Sequence, residues 1–179
     1  MRPVKRILFG TEGAEIAETA VVLPVLFTVL LGVFFFGRAY NIYGTITQAA
    51  IQGARAAVAP ACATCGNTTP TADQIAANVI APVLQASKLD PALVQPLTPT
   101  PTACACGSVA CGSTVACDAA GVSATPSICV QQNIALSNSG GTQQCGTAVS
   151  FRYPYGFNLP FQSFTLQMKA SAQMRGESQ

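Results

Sequence analysis

Thr19 to Phe36 reads TAVVLPVLFTVLLGVFFF, a run of eighteen residues without a charge, bracketed by Glu18 and Arg38. With Gly37 and the neighbouring apolar residues it supplies the roughly 20 residues a helix needs to cross a bilayer. A segment in hydrocarbon must satisfy its own backbone groups, which excludes a lone strand here. Pro24 removes one internal hydrogen bond and is expected to kink the helix, as membrane spans tolerate. Arg2, Lys5 and Arg6 precede the run, so the positive-inside rule puts the N-terminus in the cytoplasm and the bulk of the chain outside. The expectation is a single-pass protein with its span over residues 19–37. The competing reading is a cleaved secretory signal, whose apolar core is usually about 7–15 residues long. This run is longer, and Glu12, Glu15 and Glu18 stand between the basic cluster and the core.

The helical pattern continues past the apolar run. Ile42, Ile46, Ala49, Gly53 and Ala57 recur at helical spacing, with Gln48, Gln52 and Arg55 between them and no proline before Pro60. Such a stripe of small residues suits close packing against a helix or a sheet. A continuous helix over 14–59, ended by Pro60 and a turn at Cys62, would be on the order of 70 Å long. Residues 60–147 are rich in Ala, Thr, Ser, Gly, Pro and Cys and read as a loop region. It holds one short helix near 72–84, opened by a capping box of Thr71 and Gln74. Leu97 to Thr102, LTPTPT, reads as an extended linker.

Over 148–176 the period changes to two. Phe164, Leu166, Met168, Ala170, Ala172 and Met174 alternate with polar residues, as Val149, Phe151, Tyr153 and Tyr155 do, and Ile128 with Val130 hints at another strand. Alternation of this kind marks half-buried antiparallel strands with one face to cover. The amphipathic half of the long helix is the expected cover. The fold class is α+β: a long N-terminal transmembrane and amphipathic helix packed on a small antiparallel sheet, with disulfide-rich loops.

Half of the 179 residues are hydrophobic and 9% are charged, against about 25% charged in ordinary soluble proteins. The formal charge is +2 and the basic residues are scattered beyond the N-terminus, which argues against nucleic acid as a partner. There is no histidine, so the commonest general base and the commonest nitrogen ligand for zinc are both missing. Asp73, Asp90, Asp118 and Glu177 are isolated in sequence, and no glycine-rich phosphate loop is present. No catalytic, cofactor-binding or metal site is expected. All eight cysteines, Cys62, Cys65, Cys104, Cys106, Cys111, Cys117, Cys129 and Cys145, follow the apolar run. An even number on the outer side of a membrane reads as up to four disulfides in an oxidising compartment. Cys62-Ala63-Thr64-Cys65 has the spacing of a redox pair or half a zinc site. It follows a helix rather than opening one, however, and only a CxC comes after it. Eight cysteines allow 105 pairings, and Cys104 and Cys106 are poorly spaced to pair with each other.

The junction Gly13-Ala14-Glu15-Ile16-Ala17-Glu18-Thr19, with Pro24 six residues after Glu18, resembles a type IV prepilin signal. There a prepilin peptidase cuts after glycine, and glutamate takes the fifth mature position. The chain further resembles the TadE-like pseudopilins of the Tad/Flp (type IVb) pilus system, in GAEIAETAVVLPVLF, in TQAAIQGARAAVA and in the terminal SFTLQMKASAQMRGES. Two departures stand out. Thr19 occupies a place where the family often has an aromatic. Glu15 also lies five residues after Gly10, so a cut after Gly10 competes with one after Gly13. The preferred cut, after Gly13, sets Glu18 beside the apolar core and Pro24 at the family's spacing.

The resemblance implies a basic leader over 1–13, a mature N-terminus at Ala14, and pairing of the new amine with Glu18 of a neighbouring subunit. A carboxylate at full depth in a membrane costs roughly 3 kcal/mol on insertion scales unless paired; the alternative is a helix-dipole acid still in interfacial water. The leader holds three of the nine basic residues and one of the seven acidic ones, so its removal leaves six of each. The implied function is that of a minor pilin or pseudopilin, structural and non-catalytic, in assembly of a Tad/Flp-type pilus. Its partners would be the membrane, the prepilin peptidase, other pilin subunits and the assembly machinery. It would sit in the inner (cytoplasmic) membrane with its C-terminal domain periplasmic or extracellular. Whether it enters the filament is left open. The alternative is a membrane-anchored, disulfide-bridged adhesion module that does not polymerise.

Overall fold

The structure is a computed structural model and describes residues 12–59, 69–107, 111–118, 127–136, 144–158 and 162–176. The chain divides into two compact units, Met1–Tyr40 and Asn41–Gln179. One helix, α1 (Glu12–Val58), contributes to both.

In the first unit α1 carries Pro24 inside the helix. The side chains over 21–36 are nearly all exposed, from Val21 at 72% to Phe36 at 80%. The helix is long and apolar enough to cross a membrane, and none of its most apolar stretch is buried within the protein.

In the second unit α1 turns its small residues inward. Ile42, Ile46, Ala49, Gly53 and Ala57, the stripe that the helical spacing predicts, are buried, and so are Ala50 and Ala54 beside them. Gly53 shows why the stripe is small. A Cβ there would lie 3.4 Å from the side chains of Ile75, Ile80 and Val149 at once, so α1 packs against both its helical neighbours and a strand.

The next elements are α2 (Ala72–Ile75), a π turn (Ala76–Ile80), α3 (Ala81–Ala86) and a 3-10 turn (Pro91–Leu93). The capping box at α2 is formed: Gln74 N donates to Thr71 Oγ1 at 3.3 Å and Thr71 N donates to Gln74 Oε1 at 3.1 Å. The helical path runs through Pro82 to Ala86 because the wider π turn comes just before the proline and Pro82 falls in the first turn of α3, where a missing N–H is harmless.

Three antiparallel strands form the main sheet in the order β3 (Cys129–Leu136), β4 (Gln144–Asn158), β5 (Ser163–Arg175). Two short strands, β1 (Ala103–Cys104) and β2 (Thr114–Val115), pair separately. β3 and the first residues of β4 lie before residue 148. Their alternation is blurred by a register shift between Gln131 and Ile134, where Asn133 takes a positive φ of 53°. Asn is one of the few side chains that adopt this conformation readily. Gly146 is required on β4, because a Cβ there would collide with the Met174 carbonyl oxygen of β5 and come within 2.6 Å of Leu136 Cδ1.

The sheet is covered on both sides. Val130 and Val149 pair in register on the face that meets α1, and the next pair, Gln131 with Ala148, faces the other way. Gln131 is buried, and its Nε2 donates to the carbonyls of Pro101 and Val115 at 2.8 Å each. One amide thus ties the β1–β2 region to the sheet. The stretch LTPTPT bends at Thr98 and Pro99, where an extended linker is expected, and it is fastened to the sheet. Leu97 is buried, Arg152 Nη1 donates to Thr98 Oγ1 at 2.7 Å, and the Thr98–Pro99 peptide is cis. Gln95, just before it, exchanges backbone hydrogen bonds of 3.0 and 2.8 Å with Arg152 of β4, beyond the last residue that β3 reaches.

Candidate functional site

The residues expected to govern processing lie at the start of α1. Residues 1–11, with Gly10 and the leader's Arg2, Lys5 and Arg6, fall outside the described residues, as do the side chains of Ala14 and Glu15; Gly13 lies in the first turn of α1. Glu18 is described and exposed. It is the seventh residue of α1, one position before the uncharged run begins. In the following turns the exposed surface is made of Val21, Val22, Leu23, Val25, Leu26 and Phe27. Two tyrosines end the apolar stretch: Tyr40 is 79% exposed and Tyr43 51%. Aromatic rings with a polar tip are enriched where membranes meet water. A long all-round apolar helix with a carboxylate at one end and tyrosines at the other has the surface of a lipid-solvated rod.

Residues 13–55 match the family described as TadE-like protein. This stretch is a TadE-like segment. It joins the whole uncharged run to most of the buried stripe of the second unit. No curated protein and no solved structure matches the chain. The TadE-like match therefore covers the helix, and the bridged sheet beyond it is described by its own geometry.

That geometry brings six of the eight cysteines into three pairs. Cys104 joins Cys111, Cys106 joins Cys145, and Cys117 joins Cys129, with Cα–Cα separations of 5.0, 5.4 and 4.8 Å. Cys62 and Cys65 lie outside the described residues. Cys104 and Cys106, two apart, take different partners: Cys104 ends β1, whereas Cys106 lies in the turn beyond it. The Cys106–Cys145 bridge ties the β1 region to the start of β4, and Cys106 N also donates to Asn133 O at 2.8 Å. Among the described residues no group of three metal-ligating side chains is brought together.

The polar contact of most interest is Asp90 with Tyr153. Asp90 N donates to Tyr153 Oη at 3.1 Å, and Asp90 Oδ1 accepts from Ala92 N at 2.9 Å, capping the 3-10 turn. Burial pushes the Tyr153 hydroxyl above the ordinary tyrosine range. The Asp90 N–H pulls it back, and the Asp90 charge pushes it up again. Both groups have structural work, holding the turn against the sheet.

One feature escaped the sequence pattern. The alternation of β5 marks Phe164 and Leu166 as members of the buried face, but they are 40% and 53% exposed, whereas Met168 and Ala170 of the same face are buried. Phe164 stacks on Phe157 at 5.4 Å between ring centres, and Phe157 lies 6.0 Å from Tyr155. Alternation tells which side of a strand faces the core; it carries no sign of how far along the strand the cover extends.

Proposed function

We propose that the chain is a single-pass, membrane-anchored minor pilin or pseudopilin that takes part in assembly of a Tad/Flp-type pilus as a structural, non-catalytic subunit. The observation that carries this reading is the coincidence of the TadE-like segment with a helix whose apolar surface is exposed throughout its first unit. Large side chains left uncovered by their own chain need another apolar environment, and a bilayer or a bundle of like helices supplies one. In this reading the prepilin peptidase cuts after Gly13, Ala14 becomes the N-terminus, and its amine meets Glu18 of a neighbouring subunit. Pro24 kinks the membrane helix. The N-terminus faces the cytoplasm, the anchor sits in the inner membrane, and the bridged sheet lies in the periplasm or outside the cell, where disulfides persist.

Intact-mass analysis of membrane-extracted protein, with and without reduction, tests this. The expected result is an N-terminus at Ala14 and about two mass units lost per disulfide formed. Retention of Met1 in the mature protein would overturn the pilin assignment and leave an ordinary anchored domain. Glu18→Ala is expected to leave leader removal intact and to reduce the amount of assembled pilus.

A further inference from the structure

Contacts within the second unit fix how the β4–β5 hairpin runs beside α1. At one end a Cβ on Gly176 would lie 3.9 Å from Val58 and 3.7 Å from the Cys145 carbonyl. Further along, Gly53 approaches Val149. Beyond that, Thr45 Oγ1 reaches Ser87 Oγ at 3.5 Å, just ahead of Asp90, whose N–H is bonded to Tyr153. As β4 advances from Cys145 through Val149 to Tyr153, α1 is therefore retraced from Val58 through Gly53 to Thr45. Tyr153 to Phe157 adds about 13 Å at the rise of a strand, whereas Thr45 back to Asn41 is about 6 Å of helix. The turn end of the hairpin thus lies at the end of this unit where the chain enters through Asn41. Covalently, that is the end joined to the apolar run closing at Phe36.

The uncovered apolar surface of the sheet is concentrated at the same end. Phe157 pairs in register with Phe164, and Tyr155 with Leu166. Phe164 and Leu166 are exposed, and so is Tyr43 of α1. From Cys129 to Gly176 the strands carry no Asp or Glu; Arg152 and Lys169 pair across β4 and β5, Arg175 lies at the opposite end beside Gly146, and Asp90 is held against Tyr153 from the helical side. A domain tethered by a membrane helix always has a bilayer at high effective concentration, and aromatic and aliphatic side chains partition favourably into its interface.

We propose that the turn end of the β4–β5 hairpin, through Phe157, Phe164 and Leu166, seats in the headgroup layer of the membrane that anchors α1. The inference rests on the membrane-anchor reading above and adds a second, peripheral contact that holds the bridged unit against the bilayer before any assembly.

The chain has no tryptophan, so one introduced indole reports alone. Full-length Phe164→Trp, Leu166→Trp, Gln173→Trp and Phe27→Trp are each reconstituted into phosphatidylcholine–phosphatidylglycerol vesicles, with and without lipid brominated on its acyl chains. Gln173 is exposed near the other end of β5 and serves as the dry reference; Phe27 reports the anchor itself. Phe27→Trp should be strongly quenched, and Phe164→Trp and Leu166→Trp should be quenched at least about twofold more than Gln173→Trp. Quenching of Phe27→Trp with neither hairpin position above Gln173→Trp would overturn the hairpin contact and leave the anchor standing. Hairpin indoles that escape brominated lipid yet shift to the blue as protein density rises would also overturn it, by showing that another copy of the chain provides the cover. Loss of quenching at Phe27→Trp would defeat the anchor reading, and this proposal with it.

Discussion

The two halves of α1 treat apolar residues in opposite ways. Between Val21 and Phe36 the large side chains stand exposed, while between Ile42 and Ala57 it is mostly the small ones that are buried, with Ile46, Ala49, Ala50 and Ala54 fully so. In a protein surrounded by water the large residues would be the ones hidden. The first half has a surface made for an apolar solvent. In the second half, packing against Ile75, Ile80 and Val149 at the distance seen around Gly53 requires a helix with little side-chain bulk on one face. Size is thus selected by what surrounds the helix, and a single regular backbone serves both environments.

The comparison breaks most visibly at Phe151, a fully buried residue of β4. Phe151→Ala is expected to destabilise the second unit by about 3–5 kcal/mol, read from thermal melting of the full chain in detergent, with the helicity of the first unit unchanged. Replacing both Cys106 and Cys145 by serine removes a bridge across 39 residues and should cost about 4 kcal/mol in the chain-entropy account; the same change at Cys104 and Cys111, 7 residues apart, should cost about 2 kcal/mol. Equal losses from the two pairs would show that loop length does not set their contribution.

Leu30→Asp tests the other half. It should disfavour membrane insertion by about 3 kcal/mol and change the melting of the second unit by less than about 0.5 kcal/mol, measured by membrane fractionation beside the same melting assay. Gly53→Leu sharpens the contrast. It forces bulk between α1 and its neighbours and should cost about 1–3 kcal/mol, although leucine is the better helix former.

The smallest effect is expected at Tyr153. Tyr153→Phe leaves the Asp90 N–H without its acceptor and should cost about 1 kcal/mol. Because burial raises the folded-state pKa of Tyr153 above its unfolded value, the neutral hydroxyl stabilises the fold below the ordinary tyrosine pKa. That contribution is lost as pH rises through the higher, folded value. The variant should therefore show a shallower alkaline decline in melting temperature than the parent protein.

Much of this was legible in the chain itself. The uncharged run decides the character of the first half of α1, because partition into an apolar environment depends on composition and needs no particular neighbour. The stripe from Ile42 to Ala57 and the alternation along β4 and β5 are likewise local periodicities, and the capping box at Thr71 lies within four residues. The TadE-like character of residues 13–55 is carried by that same helix. Three features were settled only in three dimensions. Which cysteines meet depends on the β3–β4 register and the path around Gln131, since a sulfur pairs with whatever the fold brings within reach. Gly146 is required by an approach between strands that is visible only once β5 lies beside β4. The exposure of Phe164 and Leu166 depends on where the cover of the sheet stops. A two-residue period assigns a strand's faces, and only the packed neighbours decide how much of each face is kept from solvent.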